Sequence, residues 1–363
     1  MKQGTKLKLN QLIAIAISWM LMAVFLTVYD HLVLHTDSSN GSSESYSFGV
    51  TLLTNLFTAL VASLIGGSFL VFFVNVKYHD KPYGHTFFAV ALFFIVVSIL
   101  ISLLLAVVLV PLRTDWALVY PDSLEACMDF LKDTAHIKSA LSWSLMLGLT
   151  QLALQINSKF GQPNLWDIIH GKYNSPQVEE RIFMALDIND STSIAERLGD
   201  EIYHALLKDF FADITLPILE NRGNIYQYAG DEVIVAWNYK NGKEDLHCLK
   251  CFFAVKRQIR KKKEKYLARY DVVPTFKAGI HCGRVIAGEI GIIKRDITYS
   301  GDVLNTTSRI LGKCAEFNEE LIVSTDVLAL LDYEKNYSAV PLGAIKLKGK
   351  EHEVFLNALK ALQ

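Results

Sequence analysis

The sequence has almost no charge bias. Its 36 Lys+Arg stand against 37 Asp+Glu, a net charge of −1, so composition shows no electrostatic footprint of a nucleic-acid binder. Cysteine is scarce, with Cys127, Cys248, Cys251, Cys282 and Cys314 making five. An odd number, scattered, argues against a disulfide framework. Cys248 and Cys251 form a C-x-x-C behind His247, but no further metal ligand stands at suitable spacing, so both read as helix-face residues. The long apolar runs hold few ionisable groups. Asp30 and His31 lie near the outer end of the first run, and no relay of acids or histidines follows, which counts against a transporter. The first run is also too long for a signal core, and no small-residue cleavage site follows it, so it reads as a retained segment.

Apolar residues are what the chain does have. They make up 51% of the 363 positions and concentrate in the first 156. Four stretches, about 11–34, 48–76, 86–112 and 137–156, are predicted as membrane helices, since a bilayer core takes about 20 apolar residues of helix. "MKQGTKLK" and "KYHDKPYGH" carry lysines and belong inside, whereas "HTDSSNGSSESYS" has no Lys or Arg and suits the outside. The expectation is a multi-pass protein of a cell (inner) membrane with both termini cytoplasmic. "SLEACMDFLKD", in the second outer loop (about 114–136), could form a small helix. The membrane domain, 1–156, serves as a dimerising anchor or as a sensor. Residues 157–180 form a junction, read as a short pairing helix or a plain linker, and 181–363 form a soluble domain.

The soluble part alternates. "RIFMALDI" reads as a strand ending in Asp187. Residues 193–221 read as one long amphipathic helix, with Ile194, Leu198, Ile202, Leu206 and Phe210 at helical spacing and Ser193 and Glu196 as a capping box. "NIYQYAGDEVIVAW" reads as a hairpin turning at Gly230-Asp231. A helix is expected over about 243–270, and "TFKAGIHCGRVIAGEIG" is expected to give two strands joined at Gly283. This order is the split βαβ plan, an α+β ferredoxin-like sheet with helices on one face, followed by further strands and a helix. The plan makes the strand ending in Asp187 a neighbour of the hairpin tipped by Asp231. Two carboxylates so close call for a cation, and oxygen-only ligation suits Mg²⁺ or Mn²⁺ with substrate phosphates completing the shell. The polar turn at Asp190, Ser191 and Thr192 opens a helix whose free N–H groups could cradle phosphates. The plain alternative makes Asp187 a helix-cap neighbour and Asp231 a turn residue.

Five segments, "FMALDINDSTSIAERLG", "YQYAGDEVIVAW", "KAGIHCGRVIAGEIG", "DITYSGDVLNTTSRI" and "IKLKGKEHEVFL", stand in the order found in the class III nucleotide cyclases, and about 180–360 resembles that family. The layout of several spans plus one such domain looks like bacterial membrane adenylate cyclases. The resemblance implies conversion of ATP to 3′,5′-cyclic AMP and pyrophosphate with two divalent cations per site. It implies that Asp187, Asp231 and the Ile188 carbonyl bind the metals. It makes Asn305 and Arg309 the transition-state pair, and Lys348, with Lys350 as fallback, the terminal-phosphate lysine. The purine readers are then Gln227, where the family's adenylate-type residue is Lys, and Thr298; an amide can both donate and accept at a purine edge. His281 is expected to be structural. One such domain per chain implies a homodimer with two shared sites, which no monomer completes. The alternatives are a guanylate cyclase and a catalytically weak receptor that signals through its dimer contacts. A diguanylate cyclase would need a Gly-Gly-acidic-acidic-Phe hairpin in place of "AGDEV". The stimulus and any upstream partner leave no motif.

Overall fold

The computed structural model describes residues 3–36, 47–74, 82, 84–97, 99, 134–160, 171–293, 296–347 and 352–362. Two compact units result, Thr5–Phe160 and, for the rest, essentially Gly161–Gln363.

The described residues of the first unit are mostly helical: α1 (Gln3–Thr36), α2 (Phe48–Ala62, continued through π-helical turns to Val74), α3 (Gly84–Val97) and α4 (Thr134–Phe160). Lys8–Val33 and Phe48–Val74, of 26 and 27 residues, are by length and composition able to cross a membrane. The described part of the third predicted span is an apolar helix, Gly84–Val97, and the fourth falls within α4, whose apolar stretch is Leu141–Ile156. The remainder of the third span, the expected small helix over 123–133 and junction residues 161–170 lie outside the described residues. Polar contacts tie the helices together, as is usual where apolar packing alone gives little preference. Trp19 donates its indole N–H to the Thr150 hydroxyl at 3.0 Å, Asn55 donates to Thr27 at 2.8 Å, and Lys138 pairs with Asp30 at 2.7 Å.

The second unit is a mixed sheet in the order β2-β3-β1-β4-β6-β8-β7, with β5 paired to β4. Its strands are β1 (Gln177–Ile188), β2 (Asn224–Ala229), β3 (Glu232–Asn238), β4 (Phe276–Ile290), β5 (Asp296–Ser300), β6 (Leu321–Ser324), β7 (Tyr337–Ile345) and β8 (Val354–Ala361). The order β2-β3-β1-β4 is that of the split βαβ plan. Alternation along β1 assigns the faces. Ile182, Met184 and Leu186 pack with Leu206, Phe210 and Ile214 of α6 (Asp200–Glu220) and with Cys248, Cys251 and Val255 of α7 (His247–Lys261). Phe183 faces the other way and packs with Val285 and Val303. Val303 belongs to α9 (Asp302–Phe317), so the helix after β5 covers the opposite face.

Several expectations change locally. The single helix over 193–221 is two: α5 (Ser191–Leu198) and α6, parted by Gly199 at φ +77°. The capping box does not form. The chain leaves β1 through a left-handed Asp190 (φ 53°), which starts α5 at Ser191 and puts Ser193 inside the first turn. The helix over 243–270 breaks at Lys262 into α7 and α8 (Lys263–Tyr270). Gly283 joins nothing, because β4 runs unbroken for 15 residues. Its missing side chain instead makes room for α9: a Cβ there would stand 2.8 Å from Val303. Gly279, four residues earlier on the same face, is tighter, and its Cβ would lie 2.5 Å from the Leu311 nitrogen. Cys248, Cys251, Cys282 and Cys314 are free and buried, as packing residues. His281 is 7% exposed and bonds the Ser324 hydroxyl through Nδ1 at 2.8 Å.

Candidate active site

The sheet register places the first carboxylate. Asp187 is opposite Glu232 of β3 on one side and Lys277 of β4 on the other. Asp231 occupies the turn between β2 and β3, next to Gly230 at φ +66°, the left-handed conformation that such a turn needs. The two aspartates therefore meet, with their carboxyls within hydrogen-bonding reach. Burial raises the Asp187 pKa above its ordinary value, Asp231 raises it further, and Lys277, 3.3 Å away, offsets part of the rise. An elevated carboxylate beside a second one is a site short of positive charge.

Other groups border the pair. Tyr203 of α6 hydrogen bonds with Ser191; burial, then Asp231, raises its phenol above the ordinary range. Burial, then Asp187, raises the Glu232 carboxyl, while the Ser308 hydroxyl donates to it at 3.4 Å. Ile194 N–H makes the first i→i−4 bond of α5, to Asp190, so the N–H groups of Ser191, Thr192 and Ser193 precede the helix's own bonding. The Ile188 side chain is buried, and Ile188 pairs with Phe276 in the sheet.

Asn305 and Arg309 stand one turn apart on α9. The glycine-lined face of β4 receives the other side of that helix, where Thr306, Thr307, Ile310, Leu311 and Cys314 are buried. Asn305 is exposed. Arg309 is half-buried, and its Nη1 has no hydrogen-bond partner. Gln227 is exposed on β2, just past a bulge at Tyr226, and Thr298 lies on β5 opposite Gly288, its buried hydroxyl also unpartnered. Lys348 and Lys350 lie outside the described residues.

Residues 174–358 match the family model described as "Adenylate and Guanylate cyclase catalytic domain", which is half of the chain. The chain belongs to this cyclase family. It is similar to "Adenylate cyclase 2" of Rhizobium meliloti (strain 1021), 34% identical over 208 residues that cover 57% of each protein. "Adenylate cyclase 1" of the same organism is 28% identical over 177 residues, 47% of this chain and 26% of that protein. The chain thus spans little more than half, or less, of the length of these curated relatives. A solved bacterial light-regulated adenylyl cyclase shares the fold, with a TM-score of 0.54 at 18% identity, over 63% of this chain and 66% of that one.

Within the cyclase domain, sequence reasoning overlooked Lys277, Glu232, Tyr203 and Ser308. Lys277 could have been found from strand alternation. It shares a parity with Gly279, His281 and Gly283, and so a face of β4. Glu232 is simply the residue after Asp231. Tyr203 and Ser308 come from helices whose rotation only packing fixes.

Proposed function

We propose that this chain is a membrane-bound adenylate cyclase, converting ATP to 3′,5′-cyclic AMP and pyrophosphate as a homodimer. The observation that carries the reading is the crowded Asp187–Asp231 pair, combined with two buried, unpartnered polar atoms at the positions assigned to substrate, Arg309 Nη1 and Thr298 Oγ1. Buried polar groups rarely stay unpaired, so a polar ligand is the natural partner.

Two oxygens from the aspartates, with the Ile188 carbonyl, fit a hard divalent cation such as Mg²⁺ or Mn²⁺. Among the described residues no group of three or more His, Cys, Asp and Glu gathers to hold a metal, so water and triphosphate would fill the rest of the shell. The cations would supply the charge that acidifies the ribose 3′-hydroxyl and neutralises the triphosphate. The chain's own groups do the rest. Asn305 orients the ribose, and the Arg309 guanidinium meets charge growing on the α-phosphate. The amino end of α5, at Asp190–Thr192, receives phosphate oxygens, as Lys348 does at the terminal phosphate. Gln227 and Thr298 read the purine.

The homodimer draws support from exposed apolar side chains around β4. Val178 and Ile286 are cross-strand partners, 60% and 48% exposed, and Ile290, of the same parity on β4 as Ile286, is exposed too. Apolar surface of this kind marks an interaction site. Each site then takes metals from one subunit and the Asn305–Arg309 pair from the other. The test is complementation in detergent with ATP, GTP, Mg²⁺ and Mn²⁺. Asp187→Ala and Arg309→Ala should each abolish turnover, and mixing them should restore part of it, because one site of the heterodimer is intact. A silent mixture in which heterodimers demonstrably form refutes the shared site, and wild-type preference for GTP refutes the choice of purine.

A further inference from the structure

An ion-pair and aromatic cluster unassigned to any role adjoins the two purine positions. Arg181 of β1 is only 8% exposed. Its Nε donates to Glu179 at 2.8 Å, and its guanidinium carbon lies 5.2 Å from the Tyr299 ring centroid. The other oxygen of Glu179 accepts from Tyr173 at 3.3 Å and pairs with Lys172 at 3.2 Å. Burial would raise the Glu179 carboxyl, but Arg181 and Lys172 hold it below its ordinary value, so the pair is charged. The Tyr299 ring also meets Tyr226 at 5.0 Å and Phe183 at 5.4 Å, and the Tyr299 backbone N–H donates to the Tyr226 hydroxyl at 3.4 Å.

Tyr299 follows Thr298, and Tyr226 precedes Gln227 at the β2 bulge. β2 and β5 do not pair with each other; each hangs on a different neighbour, β3 and β4. No ladder fixes their separation, and the Tyr226–Tyr299 contact spans it. A buried ion pair adds little net stability, but a planar guanidinium held by a carboxylate and laid on a ring fixes that ring's position.

We propose that Arg181 is a positioning residue for purine recognition: gripped by Glu179 and laid on Tyr299, it sets the Tyr226–Tyr299 pair and thereby the gap between Gln227 and Thr298. The segment Gly171–Pro176 is tied into the same cluster through Lys172 and Tyr173. This inference rests on the cyclase reading above and adds to it the group that holds the purine pocket to size.

The test uses the full-length protein in detergent with ATP and GTP. Arg181→Met should raise KM for ATP about three- to tenfold, the worth of one aromatic contact. The ratio of kcat/KM for ATP over GTP should fall by a similar factor, and kcat should change less than twofold. Arg181→Lys keeps the charge beside Glu179 but loses the planar face, so it should restore the melting temperature without restoring KM. If Arg181→Met does not fold, Tyr226→Leu carries the test, with the same changes in KM and purine ratio expected. Folded variants with wild-type KM and purine ratio overturn the inference, whatever their melting temperatures. Wild-type protein that turns over neither nucleotide overturns the cyclase reading itself, and this inference with it.

Discussion

Replacing Gly279 with alanine adds one methyl group beneath α9. The new Cβ would stand 2.5 Å from the Leu311 nitrogen and 2.9 Å from the Thr307 carbonyl oxygen, where ordinary contact begins at 3.4 Å. Both obstacles are backbone, so no rotamer change relieves them, and the helix must retreat by about 1 Å. Overpacking of this sort costs about 2 kcal/mol, or about 4–8 °C in melting temperature for a domain of roughly 150–250 residues. The larger effect should fall on chemistry. Asn305 and Arg309 ride on the displaced helix, and a 1 Å misplacement of reacting groups slows turnover about 100-fold. Thermal unfolding and cyclic AMP production, measured on the same preparation, check both halves. Gly312→Ala is the control on the same helix: nothing lies within 4 Å of its Cβ, so it should be neutral or stabilise by up to about 1 kcal/mol. A Gly279→Ala protein with unchanged melting and turnover would refute the seating of α9 on β4.

Asp187 has a folded-state pKa above its unfolded value, so the stability it contributes is present in acid and is lost as pH rises through the folded pKa. Without divalent cations, Asp187→Asn should raise the melting temperature at neutral pH, with no gain below the ordinary carboxylate range; a pH-independent effect refutes the crowding. Gln227→Lys should shift the ratio of ATP to GTP turnover further toward ATP, since a lysine only donates. An unchanged ratio removes Gln227 from purine reading.

The β1 strand, the β2–β3 hairpin and their place side by side were legible because period-2 alternation and a Gly-Asp turn are local signals. From β1 and the hairpin alone, Asp187 and Asp231 could be set side by side, and the pairing of Asp187 with Glu232 does this. Asn305 and Arg309 were singled out by the resemblance to the cyclase family, and their four-residue spacing only adds that they share a helix face. What escaped depended on contacts remote in sequence. Gly283 looks like a turn until α9 is laid across it. Gly199 looks like a tolerated helix glycine until its φ of +77° parts α5 from α6. The Arg181 cluster draws on residues 172, 179, 226 and 299, and no pattern in the sequence links them.

The central strand joins two of these places. β1 carries Glu179 and Arg181 near its start and Asp187 near its end, all on the same face, and from Arg181 to Asp187 it is flanked by antiparallel partners on both sides. The six steps of extended chain from Arg181 to Asp187 make a rod of about 20 Å. A rod clamped along both edges cannot slip by one residue without turning every side chain over. Force applied to the chain just upstream therefore reaches the carboxylates as a tilt or a twist, never as a slide, and it swings the Arg181 end and the Asp187 end together, like the two arms of a lever.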